Sequence, residues 1–200
     1  MAKGKKTSKQ HTFRKNCQEL VVRPEHKSEV PIIREVIQEA FDPMPFSTGK
    51  EWQLVENIRQ SEGYIPGLSL VAVCEGTIVG HSLISLAEIE DKKKKLGVLV
   101  LGPVSVLPAF QRQGIGQELI RIGIAAAKRL PLGAMIVVGD PAYYSQFGFQ
   151  LAVPLGIHLP FGFDEEEYLQ VMEIQPGSLK RIKGVVKYPS TFYDEKGDFL

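Results

Sequence analysis

The chain has 200 residues, 44% of them hydrophobic, and a formal net charge of +1. That length and apolar content suit one ordinary domain with a substantial core. The near-neutral balance excludes a protein committed as a whole to nucleic acid or to an anionic membrane surface. No apolar run approaches the roughly 20 residues of a bilayer span.

Residues 1–16 carry Lys3, Lys5, Lys6, Lys9, Arg14 and Lys15, no acid, and no accompanying apolar run. Such a segment buries too little to order itself, so 1–17 is expected to be a basic disordered tail before a single domain over 18–200. It lacks the apolar centre of a secretory signal and the Arg-rich amphipathic pattern of a transit peptide, which points to a cytoplasmic protein. A solubilising extension is the plainer account of the tail; weak attachment to RNA or another polyanion is the alternative. Cys17 and Cys74 have no metal-ligand spacing, so free thiols and no metal site are expected.

Beyond the tail, 18–24 is a short β-prone run ended by Pro24. Val30, Ile33, Ile37, Ala40 and Phe41 then recur at helical steps, which predicts a helix over 29–41. Thr48 and Glu51 form a capping box for a second helix through Trp52, Val55, Ile58 and Arg59. The period next changes to that of strands. Runs at 69–74 and 77–85 flank Glu75-Gly76, a hairpin signal, and 96–107 supplies a third strand after the solvated tip at 91–95. Ile115, Leu119, Ile122, Ala126 and Leu130 mark a wide-faced helix, and 134–138 (AMIVV) is a short strand buried on both faces. A short helix near 143–147 and strands near 168–174 and 184–188 complete the chain. The fold class is therefore α/β: a mixed sheet with an antiparallel N-terminal meander, a parallel β-α-β crossover, then short C-terminal strands.

The third strand contains Gly102-Pro103 and runs into Gln111-Arg112-Gln113-Gly114-Ile115-Gly116, which opens the long helix. Unpaired amides and the dipole make a helix N-terminus attractive to anions, and the two glycines let the backbone approach a phosphate closely. A nucleotide P-loop would carry Lys-Ser/Thr next, where Gln117-Glu118 stand. A dinucleotide fingerprint would carry a third glycine where Leu119 stands.

The combination resembles the GCN5-related N-acetyltransferase (GNAT) superfamily over about 20–150. Its acetyl-CoA motif, Gln/Arg-x-x-Gly-x-Gly/Ala between strand and helix, is matched by Gln111, Gly114 and Gly116. Downstream, Tyr144-Ser145-Gln146-Phe147-Gly148-Phe149 matches the family's Tyr-x-x-x-Gly-Phe. LGPVSV…GDPAYYSQFGF and PGSL…VKYPSTF look like the YhbS-type branch of predicted acetyltransferases. The resemblance implies an acyltransferase that moves an acetyl group from acetyl-CoA, the cosubstrate, to a primary amine by direct attack through a tetrahedral intermediate. It also implies that the motif strand bulges and parts from the next parallel strand, a place where proline is tolerated. Backbone groups of Val104, Ser105 and Val106 would then face pantetheine, and Gln111, Arg112, Gln113, Gly114, Ile115 and Gly116 would cradle the diphosphate.

By the same resemblance Tyr144 is the general acid, with Tyr143 as fallback. The base is open: Glu88, with Glu90 beside it, or His81 within its apolar strand. The acceptor is open too. Acidic residues 164–167 suit a cationic amine but equally form a solvated loop, and a homodimer is not excluded by anything in the chain. A catalytically silent CoA-binding module is the competing function.

Overall fold

The computed structural model describes residues 17, 19–42, 44–45, 47–92, 94–160 and 166–200. Of the tail expected over 1–17, residues 1–16 lie outside them, as do two of the acidic residues, Asp164 and Glu165. Nine strands form one sheet: β1 (Leu20–Pro24), β2 (Ser69–Cys74), β3 (Thr77–Asp91), β4 (Lys94–Val106), β5 (Ala134–Val138), β6 (Gln150–Leu151), β7 (Ile157–His158), β8 (Leu169–Glu173) and β9 (Gly184–Lys187). Their order is β1-β2-β3-β4-β5-β8-β6, with β9 on the far half of β3 and β7 on β9. β1 to β4 are antiparallel neighbours, whereas β4 and β5 run parallel, as the crossover requires.

Helices cover both faces. On one, α1 (Val30–Phe41) and α2 (Glu51–Arg59) set Ile33, Val36, Ile37, Leu54, Val55 and Ile58 against Leu83, Ala87, Ile89, Val98, Val100 and Ile136. On the other, α3 (Ile115–Ala127) sets Ile120, Ile124 and Ala127 against Ile84, Leu99, Leu101, Met135 and Val137. Strand alternation explains the division, since successive side chains of β3 and β4 point to opposite faces. Part of the expected capping box forms: the Thr48 amide donates to Glu51 Oε1 at 3.0 Å.

The cysteines correct an expectation. Cys17 and Cys74 are joined in a disulfide, with a Cα–Cα separation of 5.6 Å, instead of standing as free thiols. Pairing of Leu20 with Cys74 lays the entry to β1 alongside the end of β2, which brings the two sulfurs together. Cys17, counted with the tail in the sequence, is buried against Ile115 and Leu119 of α3.

The α1/α2 face also holds a buried polar network. Arg59 grips Glu25 through two bonds, Nε to Oε1 at 2.8 Å and Nη2 to Oε2 at 2.7 Å. The Tyr64 hydroxyl donates to Glu25 Oε1 at 2.9 Å, and His81 Nε2 lies 3.4 Å from Oε2 and 3.0 Å from Ser69 Oγ. Burial alone would raise the Glu25 pKa, but hydrogen bonds from His81, Arg59 and Ser69 hold it far below the carboxylate range. Burial lowers that of His81, against the pull of Glu25, and pushes Tyr64 up to about 12, aided by the same carboxylate.

These shifts fix a pH dependence. His81 is harder to protonate folded than unfolded, so its contribution is intact above its unfolded pKa and declines as pH falls below it. The depressed Glu25 pKa adds a second loss below the unfolded carboxylate range. Urea unfolding should therefore show stability level near neutrality and falling in two stages on acidification. Glu25→Gln, which leaves Arg59 buried without its counter-charge, should cost about 3–5 kcal/mol at pH 7 and remove the lower stage. Equal midpoints for both proteins across pH 4–8 would refute this.

Candidate active site

β4 is paired along its β3 edge apart from one bulge, but along its β5 edge at only two residues. The parallel ladder has only Leu99↔Met135 and Val100↔Ile136. Past that point β5 continues against β8, through Val137↔Gln170 and Val138↔Leu169, while β4 stays with β3 and the two part. The register explains where. Ile84 faces Leu101 and Ser82 faces Val104, so Gly102 and Pro103 bulge opposite Leu83 alone. Proline has no N–H for a ladder, and the preceding peptide bond is cis.

The Leu107 amide donates to Val79 O at 2.9 Å across the β3 edge. Alternation then turns the backbone groups of Val104 and Val106 the other way, into the opening between β4 and β5. The Val106 carbonyl there accepts from the Gln111 side-chain amide at 3.0 Å, which ties the glycine loop to the strand end. Gln113 Nε2 likewise donates to Ala109 O at 3.2 Å, so both glutamines shape the loop. Arg112 and Gly114 take left-handed φ of 58° and 81°, and the chain turns straight into α3. Glu118 N–H bonds Gly114 O at 3.0 Å, the first bond of the helix, so the amides of Ile115, Gly116 and Gln117 lie outside its ladder. Consecutive amides at such a turn form an anion-binding concavity.

The other bank follows β5. Asp140 caps the short helix α4 (Pro141–Tyr144) by accepting from the Ala142 amide at 2.9 Å. Tyr144 folds back over Gly139, where an added Cβ would stand 2.4 Å from a ring carbon. Tyr143 reaches the head of α3: its hydroxyl is 3.3 Å from where a Cβ of Gly116 would be. The two rings meet edge to face at 5.1 Å, and Tyr144 meets Phe149 at 5.8 Å. Burial raises the pKa of both hydroxyls, more strongly for Tyr144, so each stays protonated and able to donate near neutrality.

The structure thus brings Val104, Val106, Gln111, Arg112, Gln113, Gly114, Gly116 and Tyr144 around one opening. Ile115 contributes its amide, since its side chain is buried in the core. Ser105 is buried on the α1/α2 face and its hydroxyl donates to His81 O at 3.3 Å. Glu88 is not brought in. It pairs with Gly97, beyond the Ser85↔Val100 rung and away from the opening, and is half-buried in a 2.9 Å ion pair with Lys95. Glu90 lies farther still along the strand, within 4.0 Å of Lys187. Of the acidic loop, Glu166 sits 3.1 Å from His158 Nδ1. The Glu25–Arg59 pair gave no signal in the sequence because its members are far apart in the chain and neither lies in a motif.

Comparisons with known proteins bear on the family and the fold. The model of the acetyltransferase (GNAT) domain matches residues 66–151, a span that includes the meander, the glycine loop and Tyr144. YjhQ of Escherichia coli (strain K12), described as an uncharacterized N-acetyltransferase, is 34% identical over 76% of this chain and 84% of its own. A GNAT family acetyltransferase from Brucella melitensis, solved in complex with acetyl-CoA, is 32% identical, with a TM-score of 0.71 over 87% of this chain and 98% of its own. E. coli YhbS, solved in complex with CoA, shares the fold at 22% identity and a TM-score of 0.76, over 96% of this chain and 100% of its own. These matches and the mixed sheet define an acetyltransferase domain. The chain belongs to the GNAT family of N-acetyltransferases.

Contact between Tyr144 and Gly139 gives a direct test of the second bank. Gly139→Ala should dislodge the ring, cost about 1–3 kcal/mol as an overpacked site does, and change the near-UV circular dichroism. An unaltered spectrum and midpoint would mean that the ring has room to yield.

Proposed function

We propose that the protein transfers an acetyl group from acetyl-CoA to a primary amine by direct attack on the thioester. The observation that carries this reading is the parted β4–β5 seam, with the amides of Val104 and Val106 facing it and the Arg112–Gly114 turn at its end. Pantetheine fits such a seam as a surrogate strand, its amides replacing the ladder partner that β5 withdraws. The diphosphate fits the amides of Ile115, Gly116 and Gln117, where the missing side chains at Gly114 and Gly116 leave the backbone approachable. Acetyl-CoA bound to the Brucella relative supports the same choice of cosubstrate.

The Val106 N–H faces the seam and suits the oxyanion that develops on the thioester carbonyl. One preorganised donor of this kind is worth about 3 kcal/mol of barrier. The Tyr144 phenol, kept protonated by burial, suits delivery of a proton to the departing thiolate. No helix among the described residues is long and apolar enough to cross a membrane.

Thiol release from acetyl-CoA, measured against spermidine, tryptamine, histamine, lysine and a lysine-containing peptide, tests the assignment. Turnover of at least one amine is expected; tight binding of acetyl-CoA without turnover would leave a binding module instead. Gly114→Glu should abolish calorimetric acetyl-CoA binding, because the side chain is strained at a φ of 81° and its charge repels the diphosphate. Retained micromolar affinity would displace the cradle from this loop. Tyr144→Phe should lower kcat by about 100-fold while KM for acetyl-CoA changes by less than about threefold. The reverse pattern would make Tyr144 a packing residue.

A further inference from the structure

His81 is wholly buried in β3, yet its ring is only half engaged. Nε2 faces Glu25 Oε2 and Ser69 Oγ. A carboxylate only accepts, so the ring proton belongs on Nε2, and Nδ1 keeps a bare lone pair. That Nδ1 is buried with no hydrogen-bond partner among the described residues. A buried acceptor left unpaired is costly, and such groups call for a donor.

Its location says which donor. The cross-strand partner of His81 is Ser105, the residue between the two seam-facing valines. Both side chains point to the α1/α2 face: His81 shares the alternation of Leu83 there and meets Glu25, which Arg59 and Tyr64 also hold. On the opposite bank Val138, in step with Ile136 of the same face, is 43% exposed. Where β5 has parted from β4 its end is thus exposed on the face that His81 takes, while His81 and Ser105 themselves are buried, 0% and 2% exposed.

We propose that His81 Nδ1 is the proton acceptor for the attacking amine, reached through a water on the α1/α2 face beside Ser105. This rests on the acetyl-transfer reading and supplies the base that it lacks. The ammonium gives one proton through the water to Nδ1, and the free amine attacks. The N–C bond forms, the C–S bond breaks, and the thiolate takes the Tyr144 proton. The second amine proton restores the Tyr144 phenol, and the imidazolium releases its own to solvent. Each group facing the ring has a part. Glu25 stabilises the imidazolium, Arg59 keeps Glu25 ionised and opposes ring protonation, and Tyr64 and Ser69 hold the carboxylate in place. Ser105 flanks the path.

His81→Gln retains an N–H for Glu25 and replaces the basic Nδ1 with an amide oxygen that accepts a hydrogen bond but takes up no proton near neutrality. With the panel amine turned over fastest, kcat at pH 7 should fall about 100-fold while KM for acetyl-CoA stays within about twofold. The deficit should shrink as pH rises through the pKa of that amine, which then arrives neutral. A structural role would give a loss independent of pH, and that result, or unchanged kcat, overturns the proposal while leaving acetyl transfer standing. Wild-type protein that binds acetyl-CoA but turns over no panel amine overturns both. Nitrogen-15 NMR of histidine-labelled wild-type protein gives a reading that does not depend on the variant's folding. A neutral ring protonated at Nε2 at pH 7.5 is expected; a proton on Nδ1 refutes the assignment.

Discussion

Every buried backbone amide and carbonyl needs a partner, and β4 meets that requirement unevenly. Leu99 and Val100, in its middle, have partner strands on both sides; its last residues bond β3 alone. The bulge at Gly102 and Pro103 lets β4 follow β3 while β5 turns toward β8. This divergence leaves a row of seam-facing groups in the middle of a sheet, where a folded protein ordinarily leaves none. A ligand that itself looks like a strand resolves the imbalance, and the glycine turn stands at the end where its charged group would arrive.

Two glycines make the banks of that seam possible by what they lack. Gly116 admits the Tyr143 hydroxyl to the head of α3, and Gly139 admits the Tyr144 ring onto the end of β5. Any side chain at either position would press on a tyrosine that bridges the structure around the opening. Gly114 serves differently, since it supplies a left-handed φ that a β-carbon would strain. Backbone approach, ring placement and turn geometry are thus three separate demands met by one residue type.

Local order made the fold readable in advance. The hairpin at Glu75-Gly76, the crossover around α3 and the strand at Ala134–Val138 each announce themselves by period and punctuation within a dozen or so residues. The glycine turn into α3 and the short helix that carries Tyr144 were legible for the same reason. The features that escaped notice were nonlocal. β8 inserts between β5 and β6, and β9 returns to β3, through contacts that no short window encodes. The disulfide depends on how β1 aligns with β2, and Glu25 reveals its role only when Arg59, Tyr64 and His81 converge on it. Glu88 shows the converse error: alternation fixes which face it takes, but not how far along β3 the seam opens.

The Glu25–Arg59 pair poses a question that stability alone does not answer. Desolvating two charges is costly, and well-packed apolar residues often serve a core as well or better. A buried pair in contact with a neutral histidine has a use that an apolar pair lacks, because it holds a fixed negative charge ready for an imidazolium that exists only part of the time. The same burial that lowers the His81 pKa keeps the ring available as an acceptor near neutrality, and Glu25 limits how far that pKa falls. On the proposed reading the sheet would divide the chemistry between its faces. α3 and its glycine turn would address the acyl donor from one side, and β3, α2 and the segment after β1 the amine's proton from the other, with β4 the strand common to both.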